Sequence, residues 1–192
     1  MNYFILTSGW VIYFVLHSLL AVESVKAFAS RVLGKAYRFY RLFYSILSSV
    51  GLVVLLVLNG NIHSDYFFDN TGLVRYLSLL LTTFGVMTIQ IAFRQYRLKS
   101  FLGFEQEDNE LKIEGILKFI RHPILAGLML ITMGFFLFIP NLPTLISFVS
   151  IFIYLPIGIY LEEKKLTAAF GEKYVRYKID VPAIVPRLLS NR

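Results

Sequence analysis

The chain has 192 residues, 57% hydrophobic and only 16% charged, where ordinary soluble domains carry about 25% charged residues; with a mean hydropathy of +0.66 it reads as one integral membrane domain, 1–192, and not as a soluble one. No cysteine is present, which excludes disulfides, a thiolate nucleophile and a cysteine metal site, and His17, His63 and His122 lack metal-ligand spacing. The net charge of +7 fits basic residues gathered at one membrane face, and no helix-turn-helix or basic–aromatic array argues for nucleic acid as a partner.

A membrane-spanning helix needs about 20 mostly apolar residues. Five segments qualify: Tyr3 to Val22, Leu42 to Leu58, Leu73 to Phe93, Pro123 to Ile139, and Leu142 to about Leu161. The first has no preceding lysine or arginine, so it does not read as a signal peptide. Between the first two, Glu23 to Tyr40 reads as an interfacial helix, with Val25, Phe28, Ala29 and Val32 on one face and Lys26 and Lys35 at the headgroups. The stretch from Arg94 to Ile120 is too long and charged for a plain connector and is expected to fold over the cytoplasmic mouth. Pro140-Asn141-Leu142-Pro143 joins the fourth and fifth segments as a tight hairpin.

Eighteen of the nineteen lysines and arginines fall in the loop after the first segment, the loop after the third, and the tail; Arg75 is the exception. The positive-inside rule therefore places the N-terminus outside and the C-terminus in the cytosol. The expected fold class is all-α: an integral membrane bundle of five transmembrane helices with a cytoplasmic C-terminal amphipathic tail, in the cell (inner) membrane, with the lipid bilayer as partner. Composition fixes no oligomeric state.

Two motifs lie at the cytoplasmic edge. The first is Arg121-His122-Pro123. Proline suits the first turn of a helix, but the two cations before it meet the positive end of the helix dipole. A bound carboxylate or phosphate would compensate; alternatively, Arg121 reaches lipid phosphates and His122 caps the helix. The second motif is Glu162-Glu163, read as lying at the C-terminal end of the fifth segment, again the unfavourable sign. Cations and anions brought to one surface suit a zwitterion, or simply pair with one another, which is worth little when exposed. Gly171 reads as a helix stop. Tyr174 and Tyr177 share a face of a short helix, where an aromatic belt is the plain reading. His17, beside Ser18 in the first segment, reads as an interhelical packing contact or as lining a cleft, with packing favoured.

Leu111, Gly115, Arg121-His122-Pro123, the hairpin, Glu162-Glu163, Leu166, Phe170-Gly171, Tyr174, Tyr177 and Pro186 together resemble the isoprenylcysteine carboxyl methyltransferase superfamily, whose members are membrane enzymes that use S-adenosylmethionine. The motif-bearing part is about 109–187. The front of the chain, His17-Ser18-Leu19-Leu20-Ala21 through Tyr40-Arg41-Leu42, is similar to bacterial methanethiol S-methyltransferases and to a membrane family linked with nitrite and nitric oxide reduction.

The resemblance implies S-adenosyl-L-methionine as cofactor, held by Asn109, Glu110, Leu111, Lys112, Leu117, Arg121, His122, Pro123, Ile124, Leu125 and Glu162. It places Glu163, Tyr174 and Tyr177 toward the substrate, a small or lipophilic methyl acceptor such as a thiol, carboxylate or lipid. In-line displacement at a sulfonium methyl by such a nucleophile calls for orientation and exclusion of water, and no catalytic base is implied. Where the family often has tyrosines, two residues after the glycine and two after the proline, this chain has Leu117 and Leu125. That departure leaves a second expectation open, a catalytically silent membrane accessory or scaffold of the same fold. Transport is disfavoured, because paired broken helices and mid-membrane charges are missing from the spans.

Overall fold

The computed structural model describes residues 1–94, 111 and 113–186. Seven α-helices are seen among them: α1 (Asn2–Ala21), α2 (Glu23–Leu33), α3 (Tyr40–Asn61), α4 (Gly72–Phe93), α5 (Pro123–Phe138), α6 (Leu142–Phe170) and α7 (Glu172–Asp180). Short 3-10 turns cover Gly34–Phe39 and Gly115–Lys118. The described residues form no strand, only an isolated bridge between Tyr66 and Asn141. The described residues are thus all-helical, the fold class expected from the sequence.

Among the described residues, four helical stretches are long and apolar enough to cross a membrane: Asn2–Ala21, Glu23–Asn61, Gly72–Phe93 and Leu142–Phe170. Between 11% and 22% of their apolar windows is buried inside the protein. Side chains such as Phe4, Val53 and Leu73 point outward, a distribution stable only against lipid. The fourth expected span, α5, has 16 residues, about 24 Å of helix against roughly 30 Å of hydrocarbon. The segment expected to end near Leu161 continues to Phe170. Apolarity stops at Leu161, but Glu162 to Ala169 are mostly good helix formers, so the helix does not. Gly171, at φ 56°, breaks it in a conformation that disfavours a side chain.

The chain divides into two compact units. One includes Met1–Asp69 and Pro140–Tyr154. Its interior holds a polar network: Trp10 Nε1 and Asn59 Nδ2 donate to Ser147 Oγ at 2.9 and 2.8 Å, and Thr144 Oγ1 donates to Asn59 Oδ1 at 3.3 Å. All four residues are buried, so each bond spares a group that has no water to turn to. Further along, His17 Nδ1 meets Ser48 Oγ at 3.1 Å, with the Tyr44 hydroxyl beside the same ring, and Ser18 Oγ meets Tyr154 Oη at 2.9 Å. His17 is thus an interhelical contact. Where an interfacial helix is expected, α2 is a helix with no buried residue, followed by the Gly34–Phe39 turn.

The other unit includes α4, α5, residues 155–170 of α6, and α7. Small residues set the approach of α4 to α5. A Cβ on Gly127 would lie 2.6 Å from the Gly85 carbonyl oxygen, and one on Gly134 would lie 2.7 Å from the Ser78 carbonyl oxygen. Ser78, Thr82 and Gly85 share one face of α4 and receive the two α5 glycines, the small-residue packing that brings helices together in membranes. Arg75, the exception to the expected charge pattern, lies over the Phe138 ring at 5.7 Å.

Candidate functional site

The site starts with the turn ahead of α5. His122 is the N-cap residue but makes no side-chain cap bond. Its backbone N–H and that of Arg121 donate to the carbonyls of Ala183 and Pro182, both at 2.9 Å. The stretch after α7 therefore holds the backbone of the Arg121-His122 turn from outside the helix.

The side chains turn toward α6. His122 Nδ1 lies 3.0 Å from Glu162 Oε2, and Nε2 lies 3.3 Å from Glu163 Oε1. A neutral imidazole has one N–H and satisfies one of these carboxylates; the doubly protonated ring satisfies both. Arg121 Nη1 stands 2.6 Å from Glu163 Oε1, a charge contact without hydrogen-bond alignment, and Arg121 Nε is buried with no hydrogen-bond partner. Lys178 Nζ reaches Glu163 Oε2 at 2.7 Å from α7. The side chain of Arg121 is 10% exposed and that of Glu163 12%, so Arg121 is turned to an internal acid and not out to lipid phosphates. The compensation expected from a ligand is supplied here by the protein's own carboxylates. Because α6 runs on to Phe170, Glu162 and Glu163 lie two turns before its end, and the unfavourable-dipole argument does not apply to them.

Tyr174, Tyr177 and Val181 form a small buried core with Leu111, Leu166 and Phe170 against it. The two tyrosines are interior and not an exposed aromatic belt. The amphipathic face of α7 buries them: Tyr174 and Lys178 are four apart, as are Tyr177 and Val181. The Tyr177 hydroxyl donates to the Leu117 carbonyl at 2.6 Å. The Tyr174 hydroxyl is buried without a partner. Burial, and next the charge of Glu163, push its phenol well above the usual range, so it remains a donor.

Of the residues expected to hold cofactor, Arg121, His122 and Glu162 come together. Leu117 is buried and reaches the cluster through its bond to Tyr177. Pro123, Ile124 and Leu125 form the first turn of α5, and Leu111 packs under the tyrosines. Asn109, Glu110 and Lys112 lie outside the described residues, as does most of the loop expected over the mouth. Among the expected substrate contacts, Glu163 is the hub of the charge cluster. A shallow groove of about 390 Å³ borders that cluster through Glu163 and Lys178 and is completed by Tyr160, Lys164, Thr167 and Ala168. Lys178 and the carbonyls of Pro182 and Ala183 were not among the expected site residues. The four-residue spacing from Tyr174 to Lys178 is the signal that points to the first; backbone carbonyls leave none.

Residues 5–185 match the family described as NnrU protein. The chain belongs to the NnrU family. The superfamily resemblance of its motifs holds on the same ground. The relatives of this NnrU-family chain include a methanethiol S-methyltransferase of Crocosphaera subtropica, 27% identical over 186 residues, covering 88% of this chain and 69% of the relative. One of Pseudomonas deceptionensis is 26% identical over 194 residues, covering 92% and 70%. Methanethiol S-methyltransferase 2 of Bradyrhizobium diazoefficiens is 28% identical over 133 residues, covering 65% and 43%. No solved structure matches the chain.

Proposed function

We propose that this NnrU-family chain is an integral-membrane S-adenosylmethionine-dependent methyltransferase acting on a small or lipophilic acceptor, a thiol, carboxylate or lipid, at the cytoplasmic membrane face. The observation that carries this reading is the junction of Arg121-His122 with Glu162-Glu163, at 3.0 Å between His122 Nδ1 and Glu162 Oε2. It puts unlike charges side by side, as a zwitterionic amino-acid group requires. The names of the relatives support methyl transfer, and methanethiol in those names supports a small thiol as one acceptor.

The residues present fit the cofactor. Arg121 Nε–H and the Tyr174 O–H are buried donors without partners, the kind of groups that a carboxylate would satisfy. Glu162, half-exposed, is open to an ammonium. When bound, S-adenosylmethionine supplies an electrophilic methyl on a sulfonium. The chain's part is to orient and to exclude water: Arg121 and His122 hold the anionic end, Glu162 the cationic end, and the apolar helices admit a lipophilic acceptor sideways. In this reading all five apolar helices span the inner membrane, the short α5 by local thinning at its charged start. The N-terminus is outside and the C-terminus in the cytosol.

Two observations favour a second reading, a catalytically silent accessory of the same fold. The charges in the cluster already neutralise one another, and Leu117 and Leu125 stand where the superfamily often has tyrosines. Calorimetric titration of S-adenosylmethionine into purified protein separates the two. Methyltransferase function gives micromolar-range binding, lost in His122→Ala and Glu162→Ala. An absence of heat at millimolar cofactor leaves the accessory reading.

A further inference from the structure

The adjacent carboxylates of α6 are not equivalent. Glu163 is met by three groups from two other segments: Arg121 Nη1 at 2.6 Å, His122 Nε2 at 3.3 Å and Lys178 Nζ at 2.7 Å. Oxygen Oε1 serves the first two and Oε2 the third. Glu162 is 49% exposed, and among the described residues its one ionic contact is His122 Nδ1 at 3.0 Å through Oε2.

We infer that Glu163 is a positioning residue: it fixes Arg121, His122 and Lys178 beside Glu162, which the reading above already assigns to the ammonium end of the cofactor. The role of Glu162 rests on that reading; the positioning role of Glu163 does not.

The argument is one of capacity and access. A carboxylate has about four lone-pair sites. Those of Glu163 are largely used, its side chain is 12% exposed, and a further cation must displace one already there. Glu162 keeps Oε1 uncommitted and open to solvent. Removing the charge of Glu163 strands a guanidinium whose side chain is 10% exposed, a large penalty when the partner of a buried cation is lost. Removing that of Glu162 strands nothing, because Glu163 still faces His122.

The test uses the full chain in nanodiscs, with Glu162→Gln, Glu163→Gln and the milder Lys178→Met. Thermal midpoints are read first. Glu163→Gln lowers the midpoint by several degrees and Lys178→Met by less, with the double variant close to Glu163→Gln alone; Glu162→Gln stays near wild type. Calorimetry then compares S-adenosylmethionine with its analogue lacking the α-amino group. Wild type prefers the amine by about tenfold or more, the worth of one charge-assisted hydrogen bond. Glu162→Gln brings that ratio near one. Glu163→Gln weakens both ligands and keeps the ratio, and Lys178→Met carries that comparison if Glu163→Gln fails to fold.

Equal midpoint losses in Glu162→Gln and Glu163→Gln overturn the positioning role. A ratio erased by Glu163→Gln or Lys178→Met and kept by Glu162→Gln overturns the ligand role. If wild type binds neither ligand, the cofactor reading falls and takes the ligand role with it, while the midpoints still decide the positioning role.

Discussion

Lys178 Nζ lies 2.7 Å from Glu163 Oε2, so the last helix closes the charge cluster that Arg121 opens. The same segment carries the Tyr177 hydroxyl to the Leu117 carbonyl and presents the Pro182 and Ala183 carbonyls to the Arg121 and His122 N–H groups. The C-terminal tail is therefore part of the site's framework. It holds the backbone of the Arg121-His122 turn from one side while α6 holds its side chains from another.

The Tyr177 bond gives the simplest test of that framework. Tyr177→Phe keeps the ring in the small core and leaves the Leu117 carbonyl without this donor. The expected loss is about 1–3 kcal/mol, the cost of a buried polar group left unpaired. Reversible unfolding in mild detergent measures it. An unchanged midpoint says that the tail does not brace the turn.

The network around Ser147 has its own optical reporter, because Trp10 is the sole tryptophan of the chain. Ser147→Ala removes the acceptor shared by Trp10 Nε1 and Asn59 Nδ2. Two buried donors are orphaned, for about 1–3 kcal/mol, near the upper end of what interhelical hydrogen bonds contribute in membranes. Trp10 emission shifts to shorter wavelength as its N–H bond is lost. Unchanged emission and unchanged stability would contradict the network.

Packing of α4 on α5 predicts an asymmetry among glycines. Gly127→Ala places a methyl 2.6 Å from the Gly85 carbonyl and from Ile89 Cγ1, and overpacking of that kind costs about 1–3 kcal/mol. Gly60→Ala meets nothing within 4 Å and is neutral or slightly stabilising, because alanine is the better helix former. Thermal aggregation of the two variants in the same detergent makes the comparison, and equal behaviour would refute the close approach.

These variants also show what is legible in the sequence. The apolar runs give the helices, because lipid imposes length and hydropathy directly on residues such as those of Tyr3 to Val22. That Arg121-His122 and Glu162-Glu163 reach one surface is legible from charge set against hydrocarbon; the particular contact of His122 with Glu162 is not. The extent of α6 is not, because hydropathy stops at Leu161 while helix propensity carries on to Phe170. Burial of Tyr174 and Tyr177 is also hidden, since a short amphipathic helix looks alike whether it lies on lipid or on a protein core. The capture of the Arg121 and His122 N–H groups by Pro182 and Ala183 depends on backbone carbonyls alone, and no side-chain pattern announces it.

The proposed orientation rests on the charges alone and is checked by accessibility. Single cysteines replacing Lys173 and Asp65, in a chain that has none of its own, are expected to label from opposite membrane faces: Asp65→Cys from outside, and Lys173→Cys only after permeabilisation. Labelling of both from one side overturns the arrangement of five spans.

The most direct measurement is an experimental structure of the full chain determined with S-adenosylhomocysteine, the demethylated cofactor. Density for its amino-acid end among Arg121, His122 and Glu162, with the Glu163–Lys178 pair still in place, is the expected result. A cluster still closed on itself, with the ligand absent or seated elsewhere at saturating concentration, would contradict the account.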